Sequence, residues 1–236
     1  MKENSMTTGT SLSQRLRAVS FGGHGSSESW EGEEKSGPRY YDAYLNGGLN
    51  REGIAAQAAQ HFLMYEAIEG AAEEHRRRLG EDFAFWLPEL HRLPALRRDL
   101  EHWIGPDWES EVRSRYATPG IRAYADRIDE VARASLPHFV AHHYTRYLAD
   151  LSGGLMIARM FEQSYGIEGD EGVRFYRFAE IEDPRAYKDR YRELLDRADF
   201  SEEEQGLIVD EVALAYRLNN AAGSDLEARF EEYRAA

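Results

Sequence analysis

Apolar positions along this chain recur every three or four residues and almost never every two. That spacing predicts amphipathic helices and leaves no series of half-buried strands. In "LNREGIAAQAAQHFLMYEAIEGAAEEHRRRLG", Ile54, Ala58, His61, Phe62, Tyr65, Ile68 and Ala72 fall on one side of a long helix. Asn50 is placed to cap its start, with Gly53 three residues on, and Gly80 to stop it. "SLSQRLRAVS" begins an earlier helix, with Ser11 or Ser13 as cap. Pro88 and Pro94 mark helix starts or breaks. Thr118-Pro119 and Asp183-Pro184 read as cap and first-turn pairs, and Pro137 opens a helix running towards Gly166. Ser201 and Glu204 form a capping box. The short aromatic run "GVRFYRF" reads as extended.

The pattern is all-α: seven or so helices joined by short Pro, Gly and Ser turns, in a single domain. Residues 1–10 read as a flexible start, 11–230 as the domain and 231–236 as a tail. No βαβ alternation, 20–50-residue repeat, GxGxxG, P-loop, HExxH or EF-hand pattern is present.

One helix contains an oddity. In "RYLADLSGGLMIARM", Leu148, Leu151, Leu155 and Met156 keep helical spacing, yet Gly153 and Gly154 sit between them. Each glycine costs about 1 kcal/mol against alanine in a helix interior. Either helices pack closely or the helix kinks there, or a flat ligand lies against bare backbone.

Composition narrows the chemistry. Among 236 residues there is no cysteine, so disulfides and thiolate metal sites are excluded. A formal net charge of −14 argues against a nucleic-acid binder. No apolar run reaches the ~18 residues of a membrane span, and the N-terminus lacks a secretory h-region. A soluble, cytoplasmic protein without a membrane anchor is expected.

His24, in "GGHGSSE", could bind haem iron through a neutral imidazole, with Glu28 one helical turn on to hold its tautomer. It could equally be a helix-end histidine, and His61, His75, His91, His102, His138, His142 and His143 compete for the role. Arg17, Lys188 and Arg192 could clamp carboxylates or simply meet solvent. Arg146 and Asp150 could border a ligand or form an ordinary i,i+4 pair.

"AHHYTRYLADLSGG" is very similar to the distal-helix signature of haem oxygenases. "LSQRLRAVSFGGH" with Glu28 resembles that family's proximal helix, and "HFLMYEAIE", "LPELHRLPALRRDLEHW", "FYRF" with "YKDRYRE", and "AYRLN" follow in the family's order. The resemblance covers most of residues 11–219. It implies a helical fold with haem b, both cofactor and substrate, between proximal and distal helices. It also implies ring opening with O2 and electrons to give biliverdin, carbon monoxide and ferrous iron. By motif, His24 matches the iron ligand and Glu28 the acid after it. Gly153 and Gly154 match the distal glycines, and Asp150 the aspartate that orders distal water. Tyr144 and Arg146 match members of that network, with Tyr65 and Asn219 deeper within it. Arg17, Lys188 and Arg192 match positions near the haem propionates. Electrons would come from a ferredoxin, a flavodoxin or a reductase.

Three departures stand out. Ala149 occupies a usual glycine position, where its methyl could crowd haem. Gly22, Gly23 and Gly25 flank His24, which suggests a frayed proximal helix, and Phe21 replaces a usual basic residue. Ala149 feeds an alternative reading: a haem-binding sensor, carrier or store without turnover.

Overall fold

The computed structural model describes residues 10–24 and 39–236. Among them are ten α-helices: α1 (Leu12–His24), α2 (Arg39–Leu45), α3 (Arg51–Leu79), α4 (Leu93–Trp103), α5 (Trp108–Glu111), α6 (Pro119–Val131), α7 (Leu136–Tyr165), α8 (Pro184–Arg197), α9 (Glu202–Ala228) and α10 (Phe230–Tyr233). The described residues form no named strand, only an isolated antiparallel bridge between Leu49 and Arg234. None of their helices is long and apolar enough to cross a membrane.

Two long helices carry the core. α3 starts at Asn50, whose side chain accepts the Gly53 N–H at 2.9 Å, and stops at Gly80, where φ is +84°. It is buried well beyond the expected stripe. Ala55, Ala56, Ala59, Ala67 and Ala71 are covered as well, because small side chains let neighbours approach from several sides. α4, α6 and α7 all pack on it. α7 starts beside Pro137 and ends at Gly166, which adopts the left-handed conformation at φ +64°. α9 lies along both α6 and α7.

The expected caps form. Thr118, Asp183 and Ser201 each accept a first-turn N–H, and Glu204 completes the Ser201 capping box. At α1, Ser11 is the cap: its hydroxyl accepts the Gln14 N–H at 3.4 Å while Gln14 accepts the Ser11 N–H. Ser13 instead joins α1 to α8, donating its hydroxyl to Asp196 at 2.7 Å.

Three expectations need correction. "GVRFYRF" is not extended: residues Arg174–Tyr176 form a 3-10 turn. α1 continues through Gly22 and Gly23 to His24. Residues 231–236 do not form a loose tail, since Tyr233 is 1% exposed. Asn50 donates its N–H to Tyr233 O, and Ala235 to Gly48 O, both at 2.8 Å. The flexible start assigned to residues 1–10, Gly25, Glu28 and the side chains of Phe21 and His24 lie outside the described residues, Thr10 excepted.

Candidate functional site

The consecutive glycines of α7 have separate reasons to lack a side chain. A Cβ at Gly154 would lie 2.5 Å from Tyr176 O, so the backbone of the Arg174–Tyr176 turn occupies that space. A Cβ at Gly153 would meet only Ile157 Cδ1, at 3.7 Å. That face of the helix is open, and the exposed residues Ala149, Ser152 and Met156 flank half-buried Gly153 on it.

One helical turn before Gly154, Asp150 faces inward. The Tyr65 hydroxyl of α3 donates to its carboxylate, and Arg146 donates to its two oxygens at 3.2 and 3.1 Å. Arg146 also donates to Asn219 of α9 at 2.8 Å. Four residues singled out in the sequence thus come from three helices into one cluster. Arg146 is 8% exposed. Burial opposes its charge, but Asp150 and Tyr65 outweigh this and raise its pKa. Burial and the Asp150 charge hold the Tyr65 hydroxyl protonated, its pKa raised well above the ordinary value. The Arg146–Asp150 pair is therefore a supported part of a buried network rather than a solvated i,i+4 pair.

Tyr144 does not join this cluster. It lies two residues before Arg146, about 200° around the helix, and points elsewhere. Its hydroxyl lies beside Ser20 of α1, within electrostatic range of Arg192 and Arg17. Nearby, Lys188 Nζ donates to Ser152 Oγ at 2.9 Å, beside the open face at Gly153. Burial and then Arg192 lower the Lys188 pKa. Arg192 holds Asp189 at 2.7 Å, yet its Nε is buried without a hydrogen-bond partner. Arg17, Lys188 and Arg192 gather as cations around Tyr144 where α1, α7 and α8 meet.

Five of the seven competing histidines have hydrogen-bonded structural occupations. His75 pairs with Ala132 O at 2.7 Å, His142 with Glu211 at 3.0 Å and His143 with Tyr191 at 2.7 Å. His138 meets Ser135, and His61 meets Gln57. Burial lowers the pKa of His61 to about 4 and that of His143 to about 3, so both rings are neutral near pH 7. The described residues hold no His/Asp/Glu group arranged for a metal ion.

The motifs in the sequence assign no role to several residues near the site. Tyr41, 49% exposed, lies in the electrostatic field of Asp150, as does His61. The Tyr44 and Tyr176 hydroxyls bond to each other. Glu69, 6% exposed, accepts the Arg92 and Leu93 N–H groups and the Tyr147 hydroxyl. Burial raises its pKa to about 7. Asp99, 2% exposed, accepts the N–H groups of Arg174 and Phe175. A signal existed for the acids: Glu69 and Asp99 interrupt apolar helical stripes, where a carboxyl must find buried donors.

These residues fit a flat, dianionic ligand such as haem. An open strip of backbone is bordered by cations, one with an orphaned N–H, and backed by a buried carboxylate network.

The Heme oxygenase family model matches residues 10–224. Haem oxygenase 2 of Synechocystis is 31% identical over 221 residues, covering 92% of this chain and 84% of that protein. The haem oxygenase of Rhodella violacea is 30% identical over 192 residues, 81% of this chain and 80% of that one. Among solved structures, Synechocystis haem oxygenase-2 in complex with haem and NO superposes with a TM-score of 0.81. It is 30% identical and covers 94% of this chain and 88% of that one. The haem complex of the same cyanobacterium's haem oxygenase-1 gives 0.79 at 26% identity, covering 94% of this chain and 95% of that one.

Proposed function

The chain belongs to the haem oxygenase family, and from that premise we propose that it opens haem to biliverdin, carbon monoxide and ferrous iron. The observation that carries this reading is the Tyr65–Asp150–Arg146–Asn219 cluster, one turn from the open backbone of Gly153. Bound haem supplies the iron at which O2 is reduced and the ring that is cut.

The chain's residues have distinct tasks in this scheme. His24, the last residue of α1, is the iron ligand, with Glu28 to orient it. Gly153 keeps the distal face low, so that a ring can lie against α7 backbone, while Gly154 lets the Arg174–Tyr176 turn pack close behind it. Asp150 holds an ordered water and passes a proton through it towards the distal face. Tyr65 and Arg146 fix the carboxylate so that this water keeps one orientation, and Asn219 fixes Arg146. Arg17, Lys188 and Arg192 pair with the propionates and set the rotation of the ring. The buried, unpartnered Nε–H of Arg192 supports this pairing. Tyr144 belongs with this propionate group, through Ser20. Electrons come from a separate donor, a ferredoxin, flavodoxin or reductase.

Ala149 favours a second reading, a haem-binding sensor, carrier or store, because its exposed methyl sits one turn before Gly153. One experiment separates the two. The protein is loaded with ferric haem, given reductant and O2 with catalase present, and followed by visible absorption. Biliverdin formation is the expected result. A stable haem complex that never opens would favour the carrier, and failure to bind haem would overturn both.

A further inference from the structure

The turn Arg174–Tyr176 touches the site at two points. Tyr176 O fills the space beside Gly154, where an added Cβ would come within 2.5 Å. The Phe175 ring packs edge-on against Tyr65 at 5.6 Å between centroids and stacks on His61 at 4.4 Å. Tyr65 is the residue that donates to Asp150. Any displacement of this turn therefore reaches both the distal backbone and the distal carboxylate.

α4 holds the turn from behind. Asp99 accepts the Arg174 N–H at 3.0 Å on one oxygen and the Phe175 N–H at 2.7 Å on the other. Arg92 donates to Phe175 O at 3.3 Å and Arg177 O at 2.9 Å. Trp103 donates its indole N–H to Gly172 O at 2.8 Å. Asp99 differs from the other two in kind. It is a carboxylate, 2% exposed, and it faces backbone donors rather than a cation in direct contact. Burial raises its pKa to about 7 against the pull of those two N–H groups. Such a group is costly to bury, and an amide of the same shape offers one acceptor oxygen where two are used.

We propose that Asp99 is a positioning residue for haem opening: by gripping Arg174 and Phe175 it fixes the turn that braces Tyr65 and backs Gly154. It thereby sets which edge of the haem ring the Asp150 network addresses. This rests on the haem-opening reading above. Asp99 touches neither the ring nor the reacting atoms; it acts through Phe175 on Tyr65 and through Tyr176 on α7. Because Arg92 and Trp103 keep their own bonds to the same segment, losing one oxygen of Asp99 shifts the turn without releasing it.

The test compares the full chain with Asp99→Asn, each loaded with haem and turned over to completion, with the biliverdin isomers separated by chromatography. The expected result is a change of about threefold or more in the ratio of isomers, equivalent to a barrier difference of about 0.65 kcal/mol. Haem affinity stays within a factor of about three. An isomer ratio identical to the parent's overturns the proposal. A parent that forms no biliverdin overturns the haem-opening reading itself, which keeps the two failures distinct. Should Asp99→Asn not fold, Gly154→Ala pushes the same turn from the opposite face. It too is expected to change the isomer ratio, and an unchanged ratio again overturns the proposal. A second readout needs no haem. Amide hydrogen exchange in Asp99→Asn is expected to quicken at Arg174 and Phe175 and also across the contact near Gly154. Acceleration confined to the turn overturns the coupling.

Discussion

Gly153 and Gly154 adjoin in one helix but answer to different neighbours. Gly154 lacks a side chain because Tyr176 O lies where its Cβ would be, whereas the space beside Gly153 is bounded only by Ile157 Cδ1 at 3.7 Å. The first is a constraint of the fold, and the second leaves room for something outside it.

The two alanine variants should therefore part company. Gly154→Ala forces the turn or α7 to move and costs about 1–3 kcal/mol of stability, read as a lower urea midpoint. Gly153→Ala gains up to about 1 kcal/mol in helix propensity without a clash, and the apo-protein is as stable as the parent or more so. Haem titration reverses the ranking for Gly153→Ala, whose methyl stands on the open face and weakens binding. Equal destabilisation of both variants would refute the distinction.

Removing the negative charge at the centre of the cluster tests the chemistry. Asp150→Asn keeps the shape but no longer balances Arg146, which is 8% exposed. It is expected to bind haem and to form biliverdin about 100-fold more slowly or worse, the scale of a lost proton-delivery group. Tyr65→Phe removes one donor to the same carboxylate and should be milder. Unimpaired turnover in Asp150→Asn would place proton delivery elsewhere.

Acid should destabilise the protein through the α7–α9 contact. Burial pushes the Glu211 carboxyl up, but His142 and Arg127 outweigh it and hold the pKa at about 2, below the ordinary 4.5. A depressed carboxyl adds stability that is complete above pH 4.5 and is lost as the pH falls towards 2. Burial also lowers the pKa of His142, so the fold resists its protonation and loses stability below its ordinary 6.5. Both act in the same direction. In Glu211→Gln, stability at pH 7 is lower and its decline between pH 4.5 and 2 is shallower than in the parent, measured by urea denaturation across pH.

Ala149 stands exposed on the face that carries Gly153. Ala149→Gly should cost about 1 kcal/mol in helix stability and speed ring opening under single-turnover conditions. Slower or unchanged opening would show that the methyl does not crowd the site.

Much of this architecture was legible in the sequence, because its information is local. Caps at Asn50, Thr118, Asp183 and Ser201 are decided within four residues, and the structure forms all of them. Tyr65, Arg146, Asp150 and Asn219 could be singled out by motif, although only tertiary packing joins them. The same motif groups Tyr144 with them. Helix geometry sends it to Ser20 instead. "GVRFYRF" looked extended because its aromatic residues favour strands. What bends it is remote: the Asp99 carboxylate, 75 and 76 residues away in the chain, takes the N–H groups of Arg174 and Phe175. The docked C-terminus was missed for the same reason, since charged residues around a single buried Tyr233 carry no periodic signal.

The contact between Gly154 and Tyr176 O has a consequence for how related chains can diverge. A larger residue at 154 requires the turn or α7 to move, and Asp99 opposes any retreat of the turn. Changes at these positions are therefore coupled. A chain that acquires a side chain at 154 should also have lengthened or rebuilt the segment between Gly172 and Phe178, and have changed the residue at 99. Such paired drift would reshape the haem cavity while leaving the helices where they are.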